Sequence, residues 1–173
     1  LFPEGPLGVM VHVIEEILDE WLARTMVHYR WHYPENTRHV VAILLGRDVT
    51  IEEAREHPLV QWGPRSCRAT GTESSHQQRE VEREYLAMLD ALETQLGQTP
   101  YALGDRPTAV DCILLGGLRA HTNADPLPDL CACPRVLAWD AERADAWIGG
   151  GEWDSFPRGN PFADYVLTLG AEC

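Results

Sequence analysis

His28 and His32 lie four residues apart inside the stretch "MVHYRWHYPE", residues 26–35. On a helix that spacing sets both imidazoles on one face, the arrangement used for a pair of metal ligands. Tyr29 and Tyr33 repeat the spacing one residue on, so phenols form a stripe beside the imidazoles. A metal needs further ligands. Glu35 and His39 are near in sequence, but Pro34 interrupts a helix before them and no spacing fixes a third ligand. The expectation is no metal. Aromatic rings with polar tips also suit a pocket that holds an apolar ligand and orients one polar group. From the residues alone, Tyr29 and Trp31 are equally ordinary core or rim aromatics.

Other groups carry weaker signals. Glu15, Glu16, Asp19 and Glu20 make one face of the preceding segment acidic, which usually means a solvated helix face. Cys131 and Cys133 form C-x-C with no second pair, and the five cysteines are irregularly spaced. They read as reduced, mostly inert thiols, with Cys112 on a helix expected to be buried. No residue among the 14 basic ones is a lysine, which removes Schiff-base chemistry and a phosphate-loop lysine. A formal net charge of −13 makes nucleic acid and anionic membrane poor partners. The longest plain apolar run, Val40 to Leu45, is too short to span a bilayer. With 173 residues, 45% of them hydrophobic, the chain can form one domain with a real core.

The elements that must position these residues are helices. Met10, Val13, Ile14, Ile17, Leu18, Trp21 and Leu22 recur at helical spacing, and the pattern runs from Leu7 to Tyr33 before Pro34. A second helix fits Thr37 to Leu45, ending at Gly46. Thr50 and Glu53 form a capping-box pair for a third, with Pro58 past its end. Residues 58–73 read as a loop. A strong helix to Leu96 carries Val81, Tyr85, Met88, Leu89 and Leu92 on one stripe. Further helices are expected from Thr108 to about His121 and from Pro134 towards Trp147, followed by a coil over 149–161 and a short apolar piece, Phe162 to Leu169. Gly116 and Gly117 read as a close approach of a neighbouring helix. No segment alternates with period two. The fold class is all-α, a bundle of five to six helices.

In "LGDRPTAVDCILLG", residues 103–116, Thr108 and Asp111 are spaced for a capping box with Asp in the third position. The apolar run behind them buries the helix start, so its N–H groups need an internal acceptor. The longer stretch "PYALGDRPTAVDCILLGGLRAH" resembles the C-terminal helical domain of glutathione S-transferases. "ILDEWLARTMVHYRW" looks like the long first helix of that domain in bacterial members, and "PRVLAWDAERADAW" is similar to the helix after the central one. The resemblance runs from about Phe2 to Trp147.

It implies an electrophile-binding, dimer-forming portion of a cytoplasmic glutathione transferase, acting on a small apolar electrophile with glutathione as co-substrate. A thioredoxin-like N-terminal domain, which would bind glutathione and activate its thiol, is expected to be absent from this chain. The chain alone is then expected to be inactive, with no catalytic residue of its own. His28, Tyr29, His32 and Tyr33 would line the electrophile pocket. Asp19 or Glu20 would reach a neighbouring subunit's glutathione in a homodimer. The alternative is a non-catalytic helical module that binds a ligand or another protein.

Overall fold

The structure, a computed structural model, describes residues 1–130, 132–142, 147, 149–153 and 159–171. The expectations placed on Cys131 and Cys173 lie outside them. Eight α-helices are present among the described residues: α1 Pro6–His32, α2 Pro34–Leu45, α3 Ile51–Glu56, α4 Gly63–Ala69, α5 Ser75–Gln95, α6 Ala109–Gly117, α7 Pro134–Glu142 and α8 Pro161–Ala171. A 3-10 turn, Pro58–Trp62, precedes α4, and a π-helical turn, Leu118–Thr122, follows α6. The class is all-α, with more helices than the five to six expected. The two beyond six are α4, which with the 3-10 turn replaces the loop predicted over residues 58–73, and α8, which contains the short apolar piece Phe162 to Leu169. Pro58 and Pro64 both sit in the first turn of a helical piece, where a missing N–H costs nothing.

α1 is the spine and packs against α2, α4, α5, α6 and α8. Its inner stripe of Val11, Ile14, Leu18, Leu22, Thr25 and Tyr29 is buried, one residue every three or four. These side chains meet Tyr85, Met88, Leu89 and Leu92 of α5, Val110 and Leu114 of α6, and Phe162 and Val166 of α8 in the main core. Gly117 lets α6 approach: a Cβ there would stand 3.2 Å from Leu22 Cδ1. Gly116 has open space around it instead and is not a packing glycine. Cys112 is exposed on the outer face of the same helix, against the expectation of burial. A second, smaller core of Val41, Val49 and Ala54, with Ala42 and Val60 against it, joins α2, α3 and the 3-10 turn.

Buried polar side chains close the helix ends. Thr108 and Asp111 make a capping box at the start of α6. Asp111 Oδ2 accepts from the Thr108 N–H at 2.7 Å and from its hydroxyl at 3.0 Å, while Oδ1 accepts from the Ala102 N–H at 2.9 Å. One carboxylate thus holds both the helix and the loop before it. Burial pushes the Asp111 carboxyl above its ordinary range despite these donors. Glu93 of α5 accepts from the N–H groups of Arg135 and Val136, each at 2.9 Å, at the start of α7. At the end of α1, Asn36 Nδ2 donates to Tyr29 O at 3.1 Å and Leu127 O at 2.8 Å, and Thr37 Oγ1 donates to Arg30 O at 2.7 Å. Thr37 thereby satisfies the Arg30 carbonyl, which Pro34 leaves without a helical donor.

Candidate functional site

The C-terminal end of α1 presents two faces, and the residues of "MVHYRWHYPE" divide between them. The inner face continues the apolar stripe. Tyr29 is 4% exposed and belongs to the main core. Its ring stacks on Tyr33 with centroids 5.4 Å apart and planes 17° off parallel. His28 is 1% exposed and donates its Nε2–H to Glu82 Oε1 at 2.8 Å. The Tyr33 hydroxyl donates to the same oxygen at 2.6 Å. A single carboxylate of α5 therefore gathers two donors from α1.

Burial sets the protonation of this cluster. It pulls the His28 pKa below 6.5, outweighing the hydrogen bond and charge of Glu82 that pull the other way. His28 Nδ1 is buried with no partner. A charged ring would carry a second N–H with nothing to accept it, so the neutral Nε2–H form fits the site. Burial, then the hydrogen bond to Glu82, raises Tyr33 to about 12. Burial also raises Tyr29. Both phenols stay protonated at neutral pH, and that of Tyr33 acts as a donor, not as a base.

The π-helical turn adds a second polar group beside Tyr29. His121, whose ring centroid is 6.1 Å from that of Tyr29, donates Nδ1–H to Asp125 Oδ2 at 2.6 Å. Arg30 Nη2 approaches the same oxygen at 3.2 Å. Burial opposes ionisation of Asp125, but the hydrogen bond from His121 and the charge of Arg30 more than offset it and the carboxyl is lowered. Thr122, one residue on, hydrogen-bonds Tyr85, whose phenol burial lifts to about 12. A π turn carries an extra residue per turn, and here the two residues at its end, His121 and Thr122, both point inwards and are buried.

The outer face is different. Trp31 and His32 line an open cleft of about 350 Å³ with Val60, Gly63, Pro64, Cys67 and Glu73. A Cβ on Gly63 would stand 3.2 Å from Trp31 Cδ2, so the indole lies on bare backbone at the start of α4. His32 donates Nε2–H to Thr72 O at 2.8 Å, which fixes its ring across the cleft. Cys67 is buried and burial raises its thiol, so it carries little thiolate. The cleft has an aromatic wall, a few polar groups and no activated nucleophile. An aromatic wall with a few polar groups suits a flat apolar group.

The four residues singled out from sequence thus separate. His28, Tyr29 and Tyr33 come together with Glu82 on the buried side, and His32 alone reaches the cleft. Trp31 joins it there, and Glu82, His121 and Asp125 complete the inner cluster; none of the four was singled out from sequence. His28 and His32 rings lie 5.2 Å apart, and among the described residues no group of three His, Cys, Asp or Glu is placed to hold a metal. Asp19 and Glu20 are exposed on the solvent side of α1. No helix among the described residues is long and apolar enough to cross a membrane.

The family model described as "Glutathione S-transferase, C-terminal domain" matches residues 52–142, from the second residue of α3 to the end of α7. No curated protein and no solved structure matches the chain.

Proposed function

The chain belongs to the glutathione S-transferase C-terminal domain family, and from that membership we propose that it is the electrophile-binding portion of a glutathione transferase-like protein. The observation that carries this reading is the Trp31–His32 cleft at the end of α1. Its aromatic wall would take the apolar body of the electrophile and His32 or Glu73 would orient a polar substituent. His28, Tyr29 and Tyr33 then act behind the cleft, with Glu82 holding the helix end rigid so that Trp31 and His32 keep their places. Thiol activation falls to a thioredoxin-like domain outside these 173 residues. In the reaction a glutathione thiolate would add to, or displace a leaving group from, the bound electrophile, and this domain would hold the acceptor in line.

A cytosolic homodimer goes with this proposal, with Asp19 and Glu20 on the exposed side of α1 as the groups able to reach glutathione on a partner. A second reading, a non-catalytic interaction module, draws support from Ile43, Leu44 and Leu45, three consecutive exposed apolar residues at the end of α2.

The test is binding of an apolar fluorescent probe and its displacement by 1-chloro-2,4-dinitrobenzene. Trp31→Ala and His32→Ala should each weaken the probe several-fold while leaving the helical signal intact. Unchanged binding in both variants would remove the cleft from the proposal.

A further inference from the structure

The walls of the Trp31–His32 cleft carry one sign of fixed charge. Of the residues that line it, Glu73 alone has a carboxylate, and none is an arginine. The chain has no lysine, so an arginine is the one permanent cation that could have stood there. The two arginines of α4 nearest the cleft are engaged outside its lining. Arg65 lies over Trp62, with Cζ 5.5 Å from the ring centroid. Arg68 reaches Glu73 by one contact, Nε to Oε1 at 3.1 Å, with its side chain 72% exposed. Among the described residues nothing donates to the other oxygen, Glu73 Oε2.

The neighbouring polar groups fix where this carboxylate stands. The His32 Nε2–H is committed to Thr72 O at 2.8 Å. The Gln78 amide donates to Glu73 O at 3.0 Å and stands 3.4 Å from His32 Nδ1. One side chain of α5 thus ties the Glu73 main chain to the His32 wall. The Glu73 side chain itself is 48% exposed, so a molecule entering the open cleft can reach it.

We propose that the cleft selects an aromatic ligand bearing a protonated amino group, and that Glu73 sets this preference. The proposal deepens the reading of the cleft as the electrophile site and rests on it: the favoured acceptors would be aromatic electrophiles with an amine substituent. An ammonium brings N–H donors to the open Glu73 oxygen, and a charge-assisted hydrogen bond is stronger than a neutral one. Little is given up in return, because an exposed pair such as Arg68–Glu73 contributes little and can share its carboxylate. The indole wall favours the same sign, since the face of an aromatic ring attracts cations. So does the net charge of −13, which draws cations towards the whole chain. A carboxylate ligand would instead face Glu73 with no cation in the lining to offset it.

The experiment is displacement of the apolar fluorescent probe from the full chain by three naphthalenes of like shape: 2-naphthylmethylamine, 2-naphthalenemethanol and 2-naphthoate. It is run at about pH 8, above the ordinary histidine range. The amine should displace the probe at a roughly three- to fivefold lower concentration than the alcohol, and the carboxylate should need more than either. Raised salt should narrow the gap. Glu73→Gln should bring the amine level with the alcohol and leave the alcohol unchanged. Asp90→Asn removes the same charge from an exposed position on α5, three turns beyond Gln78, and should keep the full preference. If the alcohol displaces the probe, Trp31→Ala weakens it and the amine has no advantage, the proposal is overturned while the cleft stands as a ligand site. An amine preference that survives Glu73→Gln, or a carboxylate that binds best, overturns it as well. Failure of all three compounds to displace the probe removes the cleft itself, and this proposal with it.

Discussion

Replacing Asp111 with alanine strikes at one carboxylate that two backbone segments share. Its oxygens accept from Thr108 N–H at 2.7 Å and Ala102 N–H at 2.9 Å, and Asp111 is 2% exposed, so no water can take its place. A buried donor left unpaired costs about 1–3 kcal/mol, so two cost about 2–6 kcal/mol. Part of that is offset, because burial disfavours the charge that the substitution removes. A net loss of about 2–4 kcal/mol follows for Asp111→Ala. With a urea dependence of about 2 kcal/mol per molar for a domain of this size, the midpoint should fall by about 1–2 M. Asp111→Asn keeps one acceptor oxygen but turns an NH₂ towards a donor, so its loss should be intermediate. Thr108→Ala removes a hydroxyl cap worth about 1 kcal/mol. Urea unfolding followed by circular dichroism at 222 nm gives all three. A shift below about 0.3 M for Asp111→Ala, or an alanine variant as stable as the asparagine one, would refute the shared-acceptor argument.

Three further outcomes follow from the cluster and the cleft. Glu82→Gln removes the charge beside Tyr33, so the phenol should fall from about 12 part of the way towards 10.0, burial remaining; ultraviolet titration of the variant against the parent reads it, and an unmoved profile counts against the contact. His28 has a folded pKa below its ordinary 6.5, so the unfolded chain takes up its proton first: stability should be full above about pH 6.5 and decline as pH falls towards the lowered value. His28→Gln should flatten that decline in thermal melts from pH 7 to 5, and an identical slope would exclude His28 as its source. Gly63→Ala places a methyl within 3.2 Å of the Trp31 ring, which must move; probe affinity in the cleft should drop several-fold, and an unaltered affinity would show that Trp31 is not its wall.

Much of the frame was legible in the chain because long helices write their burial at fixed spacing. The inner stripe of α1 and the capping pairs at Thr50 and Thr108 are local patterns, complete within a few residues. α4 was not legible: Gly63 and Pro64 read as breakers, although Pro in a first turn also begins a helix, and that was the available signal. The fate of Tyr29 was in the pattern as well. It continues the spacing of Leu18, Leu22 and Thr25, which places it inside, while its chemistry drew it towards a pocket. Glu82 left no trace. Its partners lie 54 and 49 residues away, and only the packing of α5 on α1 brings them together. His121 and Asp125 are four apart and could have been noticed as a pair, but the π turn that points His121 inwards has no sequence signature of its own.

The two cores are unequal, and that has a kinetic side. Val41, Val49 and Ala54 hold α2 and α3 with far less buried apolar surface than holds α1, α5, α6 and α8. A unit so lightly anchored opens at a fraction of the global unfolding free energy, so its amides should exchange with deuterium long before those of α5. Val60, at the edge of the small core, is also a wall of the Trp31 cleft. Each local opening therefore loosens that wall of the cleft.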